Sequence, residues 1–334
     1  MFAPFTTTGI GSLPHRDPEE ACRLVLETCD IPFWPQLPNI TFHESMIPQF
    51  SEGLPLIRID EEREVIWAGK NGAEELMRFY ETYSEEWRVP VSEDYAKGLY
   101  TFIKLIRNRR FPYLKGQVTG PLTFTLGLKD SEGRPVYFDE ELREISLMLL
   151  KAKIRWQLEF LKPYAEKIVL FIDEPILSAL GSTSYISVET REVQRLLEET
   201  VDAIKRAGGI SGIHCCGNAD WSSVIKSGTE MISFDAYGYG ETISLYPVEF
   251  TAFLEDGGYL AWGVIPTGES IKEESEDSIK KRFYEVLENV SKKISKNLLL
   301  SQILLTPSCG AGSMTIEEAL KVFRLLKNLK KAVA

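Results

Sequence analysis

Lys167–Pro175 reads KIVLFIDEP, an unbroken apolar run closed by two carboxylates and a proline. So short a run, rich in β-branched side chains, predicts a strand buried on both faces, as in parallel sheets covered by helices. Proline cannot donate to a ladder, so the strand should stop there, with Asp173 and Glu174 at its carboxyl end. Seven other runs share this form: FTTTGIGS from Phe5, PFWPQLP from Pro32, YLKGQVTGP from Tyr113, GISGIHCCG from Gly209, EMISFDAYG from Glu230, YLAWGVIPTG from Tyr259 and SQILLTPSCG from Ser301. Between most of them lie stretches of helical periodicity, such as DPEEACRLVLETC from Asp17, DEELREISLMLLKAKIRWQLEFLKPY from Asp139, VETREVQRLLEETVDAIKRA from Val188 and TIEEALKVFRLLKNLKK from Thr315. Eight strand-then-helix units predict an α/β protein, specifically a TIM (β/α)8 barrel. Residues 40–110 break the rhythm with a hairpin pattern, LPLIRIDEEREVIWAG from Leu54, and two helices, expected as an insertion between the second and third strands. No linker or low-complexity segment divides the chain, so residues 1–334 are expected to form a single domain.

Composition narrows the function. The chain has 334 residues, 44% hydrophobic and 26% charged, with no apolar window long enough for a membrane span. Its first residues lack the pattern of a secretory signal, and a cytoplasmic protein is expected. A net charge of −11 would repel a phosphate backbone, which argues against nucleic acid as a partner. Five cysteines, Cys22, Cys29, Cys215, Cys216 and Cys309, suggest thiols or metal ligands over a disulfide framework. Cys22 and Cys29, seven apart in a helical pattern, are expected as buried small residues.

Barrel enzymes carry their chemistry at the carboxyl ends of the strands. Gly11-Ser12, Thr119-Gly120-Pro121, Asp173-Glu174-Pro175, His214 to Asn218, Asp235, Thr267 and Cys309-Gly310 all fall there. Side chains alternate along a strand, so His214 and Cys216 share a face while Cys215 turns away, and Asp173 faces inward with Phe171 while Glu174 does not. Cys309, at the end of the last run, can reach the same point across the mouth. Two thiolates and an imidazole suit zinc, and three protein ligands leave a fourth position open for substrate. Asp235 is a candidate fourth ligand or, alternatively, a residue that orients His214.

These motifs together resemble the catalytic domain of cobalamin-independent methionine synthases, within the uroporphyrinogen decarboxylase/methionine synthase-like superfamily. TTTGIGSLPH is similar to that family's opening, FIDEP to its I-D-E-P strand, IHCCGN to a His-x-Cys ligand pair also seen in methylcobamide:coenzyme M methyltransferases, and TPSCG to the last-strand cysteine. The resemblance, in a short single-barrel form, implies methyl transfer to a zinc-bound thiol, with homocysteine giving methionine. It implies that Asp173 binds the amino group, that the backbone at Gly11 and Ser12 holds the carboxylate, with Glu174 beside Asp173 in the substrate-binding set, and that Asp235 replaces a glutamate ligand and acts in catalysis. The family's histidine after the seventh strand is missing from AWGVIPTGES, while His15 and His43 lie in the first and second strand-end loops, where solvated positions are expected. That loss favours a donor whose leaving group needs no proton, a methylcorrinoid carried by a separate corrinoid protein, over methyltetrahydrofolate. Trp67, Tyr80, Tyr83 and Trp87 are candidates for a docking surface, or for core. The competing expectations are a non-catalytic zinc, thiol or corrinoid carrier, and a decarboxylase acting on a tetrapyrrole.

Overall fold

The computed structural model describes residues 2–70, 72–84 and 86–334. Among them the strands are β1 (Ile57–Asp60), β2 (Val65–Ala68), β3 (Phe111–Thr119), β4 (Lys129–Asp130), β5 (Ala165–Asp173), β6 (Ile210–Cys215), β7 (Met231–Phe234), β8 (Tyr259–Ile265) and β9 (Ile303–Pro307). Six of them form one curled, all-parallel sheet in the order β3-β5-β6-β7-β8-β9. The KIVLFIDEP reading holds here: outward Leu170 and Ile172 join the large core shared with the helices, while Val169 and Phe171 join a smaller cluster inside the curl. The expected helices form, among them Pro18–Thr28 before the first strand, Glu140–Leu161 and Thr190–Arg206 between strands, and Ile316–Val333 after the last. Acidic or hydroxyl caps start three of them: Asp17, Asp139 and Thr315 each accept a backbone N–H of the first turn. Among the described residues no helix is long and apolar enough to cross a membrane.

The closed eight-stranded barrel does not form. The regular ladder is a six-stranded half-barrel, open between β9 and β3, because the first two runs contribute no strand. They make only isolated parallel bridges, Thr7 with Leu305, Ser12 with Gln36, and Phe33 with Lys115. The sequence contains the reason: Pro32, Pro35 and Pro38 have no N–H to give, and a ladder cannot run through them. The first run approaches its neighbour too closely for side chains, since a Cβ on Gly9 would lie 2.3 Å from the Phe33 ring.

A second, smaller sheet has the order β1-β2-β4. The expected hairpin is its core, pairing Ile57 with Ala68 and Asp60 with Val65. β4 adds in parallel to β2, a pairing that nothing in the hairpin pattern announced. The helices Ala73–Thr82 and Lys97–Ile106 follow within the same interval. Of its aromatic residues, Trp87 packs edge-on against Phe79 and Tyr83, whereas Tyr80 is 45% exposed and donates its hydroxyl to Glu141.

Candidate metal centre

His214 near the end of β6, Cys216 just past it and Cys309 beyond β9 place one imidazole nitrogen and two sulfurs within 4.8 Å of one another. This is the arrangement expected from the alternation in IHCC, and Cys215 points the other way into the outer core. His214 Nδ1 shares a hydrogen bond with Ser233 Oγ (2.9 Å), and its Nε2 is buried without a protein partner. A buried, unpaired ring nitrogen is costly unless something fills its site. The set has the chemistry of a zinc site: soft sulfur, imidazole, and a hydroxyl bracing the far ring nitrogen, all within reach of one ion with bonds of about 2.0–2.3 Å. The neighbouring Cys309, and then the His214 imidazole, pull the Cys216 thiol down to about 4, while Cys216 and burial push Cys309 up. Cys215, by contrast, is raised to about 12 by burial.

Asp235 does not join the cluster. Its side chain accepts from Gly238 N (2.7 Å) and caps the short helix Ala236–Tyr239, and no carboxylate falls within the 4.8 Å group. The alternative role, orienting His214, is taken by Ser233, whose Cα pairs with that of His214 across β6 and β7. Burial raises Asp235 to about 6.

A cavity of about 350 Å³ opens beside the three ligands, lined also by Ile10, Ser12, Gln36, Glu44, Asp173 and Gly310. Asp173 is 4% exposed, with Oδ1 unpartnered. Burial raises it to about 6, against the pull of Lys115 and His214. Ser12 lines the cavity and is fixed by Gly312 N on its Oγ (3.2 Å) and Ala311 N on its carbonyl (2.9 Å). A Cβ on Gly310 would sit 2.1 Å from that same Oγ. Gly11 stands behind the wall, its carbonyl accepting from Gln36 N (3.1 Å).

Glu174 turns away, as the alternation requires, and its oxygens are committed elsewhere. They accept from Leu122 N, Thr123 N and Thr123 Oγ1 at 2.6–2.8 Å, holding the first turn of the helix Pro121–Gly127, so Glu174 supports the pocket from behind and does not line it. Burial raises it to about 7 even so. His15 is not the solvated loop residue expected: it is 2% exposed, with Nδ1 unpartnered. His43 is half-buried and stacks on Tyr95 at 4.3 Å.

Three residues escaped the sequence reading. Ser233 carried no signal of its own, because only the strand register sets it opposite His214. Glu44, which accepts Leu37 N and Lys97 N while facing the cavity, carried none. Lys115 interrupts an apolar strand at an inward position, which was the visible sign of a buried charge.

The fold and the site define a curled parallel α/β sheet with a His/Cys/Cys group at the carboxyl ends of its strands. A solved structure of similar fold is a B12-independent methionine synthase from Shewanella sp. W3-18-1 in complex with selenomethionine, with a TM-score of 0.61, 15% sequence identity, and coverage of 99% of this chain and 98% of that one. At that identity the likeness is a distant one of fold. No protein-family model matches the sequence, and no curated protein matches it.

Proposed function

We propose that this chain is a zinc-dependent methyltransferase that moves a methyl group to the sulfur of a thiol amino acid, with homocysteine the preferred acceptor and methionine the product. The observation that carries this reading is the convergence of His214, Cys216 and Cys309 on one point, with the unpaired Nε2 of His214 there and a cavity alongside. The fold likeness to a methionine synthase supports it. Zinc held by these three residues would deprotonate a substrate thiol that is otherwise mostly protonated at neutral pH.

The chain's own residues supply the rest. Ser233 holds the imidazole of His214 in one orientation. Asp173 faces the cavity with an open oxygen suited to a substrate ammonium, and the wall at Ser12 faces the carboxylate end. Glu174 fixes the helix start behind them. Positioning a bound thiol against a donor is the main catalytic task left to the protein. The donor is a methylcorrinoid, presented by a separate corrinoid protein, or methyltetrahydrofolate.

The test is a metal analysis paired with an assay. Purified protein should hold one zinc per chain and form methionine from homocysteine with methylcobalamin or methyltetrahydrofolate. Cys309→Ser should lose metal and turnover together, weakening zinc by more than the roughly 10–100-fold typical of a lost supporting bond. Full turnover in that variant would sink the ligand set. Bound zinc with no methyl transfer from either donor would replace the enzyme reading with a carrier.

A further inference from the structure

Lys115 is 1% exposed and lies inside the curl, on the face of β3 that also carries Gln117 and Thr119. Its ammonium donates to the carbonyl of Ile10 and to Gln117 Oε1 (3.2 Å), and sits 4.5 Å from the centre of the Phe171 ring. Gln117 and Phe171 are register partners, and Thr119 and Asp173 form the next inward pair, so the charge lies one layer below the pocket floor. Burying an ammonium is expensive, and a methionine would fill the same volume without that cost.

What the ammonium holds is the part of the pocket wall that no ladder holds. Ile10 and Ser12 both line the cavity, yet their segment forms no strand: it is joined by the isolated bridges of Thr7 with Leu305 and Ser12 with Gln36, and between them the Ile10 carbonyl is taken by Lys115. Ile10, Gln117 and Phe171 offer Lys115 oxygen and π-electron density but no negative charge, so its positive field extends upward into the cavity. Asp173 answers part of it on one side; Glu44, the other carboxylate among the lining residues, accepts Leu37 N and Lys97 N, and burial raises it to about 7, which favours its neutral form.

We propose that Lys115 is a positioning residue for the carboxylate of the substrate: it anchors the Ile10–Ser12 wall from below and supplies the positive field that makes this end of the pocket select a carboxylate. The inference rests on the thiol amino acid reading above and adds to it the residue that would decide between an amino acid and a simple aminothiol.

The experiment compares two probes on the zinc-loaded full chain by calorimetry: homocysteine, and 3-aminopropane-1-thiol, which is homocysteine without its carboxylate. In Lys115→Met, homocysteine should bind about tenfold more weakly while the aminothiol changes by less than about twofold, and zinc content should not change. Equal weakening of both probes would reduce Lys115 to a structural role, and no weakening of either would remove the role altogether; in both cases the methyltransferase reading stands. If the wild-type protein holds zinc but binds neither thiol, that reading fails and takes this one with it. Should Lys115→Met not fold, a crystal structure of the wild-type protein with homocysteine decides the matter: the carboxylate must lie against the Ile10–Ser12 wall, and a carboxylate bound elsewhere overturns the proposal.

Discussion

The two sides of the sheet's interior are built on different principles. From β5 to β9 the backbone does the joining: parallel ladders run strand to strand, and the side chains are left to pack or to face the cavity. Along the segments 5–12 and 31–38 the backbone makes only scattered bonds, such as Phe5 N to the Ile303 carbonyl and Lys115 N to the Pro32 carbonyl, and side chains supplement them. Asp30 accepts the backbone N–H and hydroxyl of Thr7, both at 2.8 Å. Gln157 accepts from Trp34 Nε1 (2.8 Å) and donates to the carbonyl of Gln117 (3.0 Å), and Gln117 donates to the carbonyl of Trp34 (3.1 Å). Lys115 holds the Ile10 carbonyl, and, farther along, Lys153 reaches the carbonyl of Pro90 (2.9 Å). Proline and glycine make these segments poor strands, yet their buried polar groups still need partners, and long amide and amine side chains meet that need. The contrast predicts that the regular side tolerates small changes, while the irregular side depends on a few polar residues.

Substitutions can break that contrast. The largest effect is expected at Gln157, where Gln157→Leu orphans both Trp34 Nε1 and the Gln117 carbonyl at about 1–3 kcal/mol each. Urea unfolding should show this as a lower midpoint, and an unchanged midpoint would mean that the side-chain network is ornamental. Lys153 should act in the opposite direction. Burial pulls its amine down to about 7, against 10.5 in an unfolded chain, so the unfolded state binds more protons between those values and stability rises with pH across that window. Lys153→Met removes the penalty at the cost of the bond to Pro90, so the variant should gain stability on the order of a few kcal/mol at pH 6 and lose that advantage by pH 10. A gain independent of pH would point to packing instead. The smallest effect belongs to the ladder: Ile172→Val on β5 should cost about 0.5–1.5 kcal/mol and leave zinc content untouched. A larger loss there than at Gln157 would reverse the comparison.

The same contrast explains what could be read from the amino acids. Apolar, β-branched runs identified the six ladder strands, and the capping residues Asp17, Asp139 and Thr315 marked helix starts, because these signals are local. The first two runs looked like strands by hydropathy, but the prolines of the second and the close approach at Gly9 in the first outweighed it. Alternation set Asp173 and Glu174 on opposite faces while the resemblance assigned both to substrate; in the fold Asp173 lines the cavity and Glu174 is bound to a helix start. The partner of His214 was not legible, because Ser233 and Asp235 lie on the same face of the same run and only the register chooses between them. Glu44 was hidden for a similar reason: its partners at Leu37 and Lys97 come from segments that meet only in the folded chain.

Sequence alone determined the donor chemistry, two thiols and an imidazole at strand ends, since residue type and two-residue alternation suffice for that. Only the tertiary structure decided that they meet. β6 and β9 are three strand spacings apart, about 14 Å in a flat sheet. The curl of the sheet brings Cys309 back over its mouth to within 4.8 Å of its partners, a closure set by the twist and packing of the strands between, which no local pattern encodes.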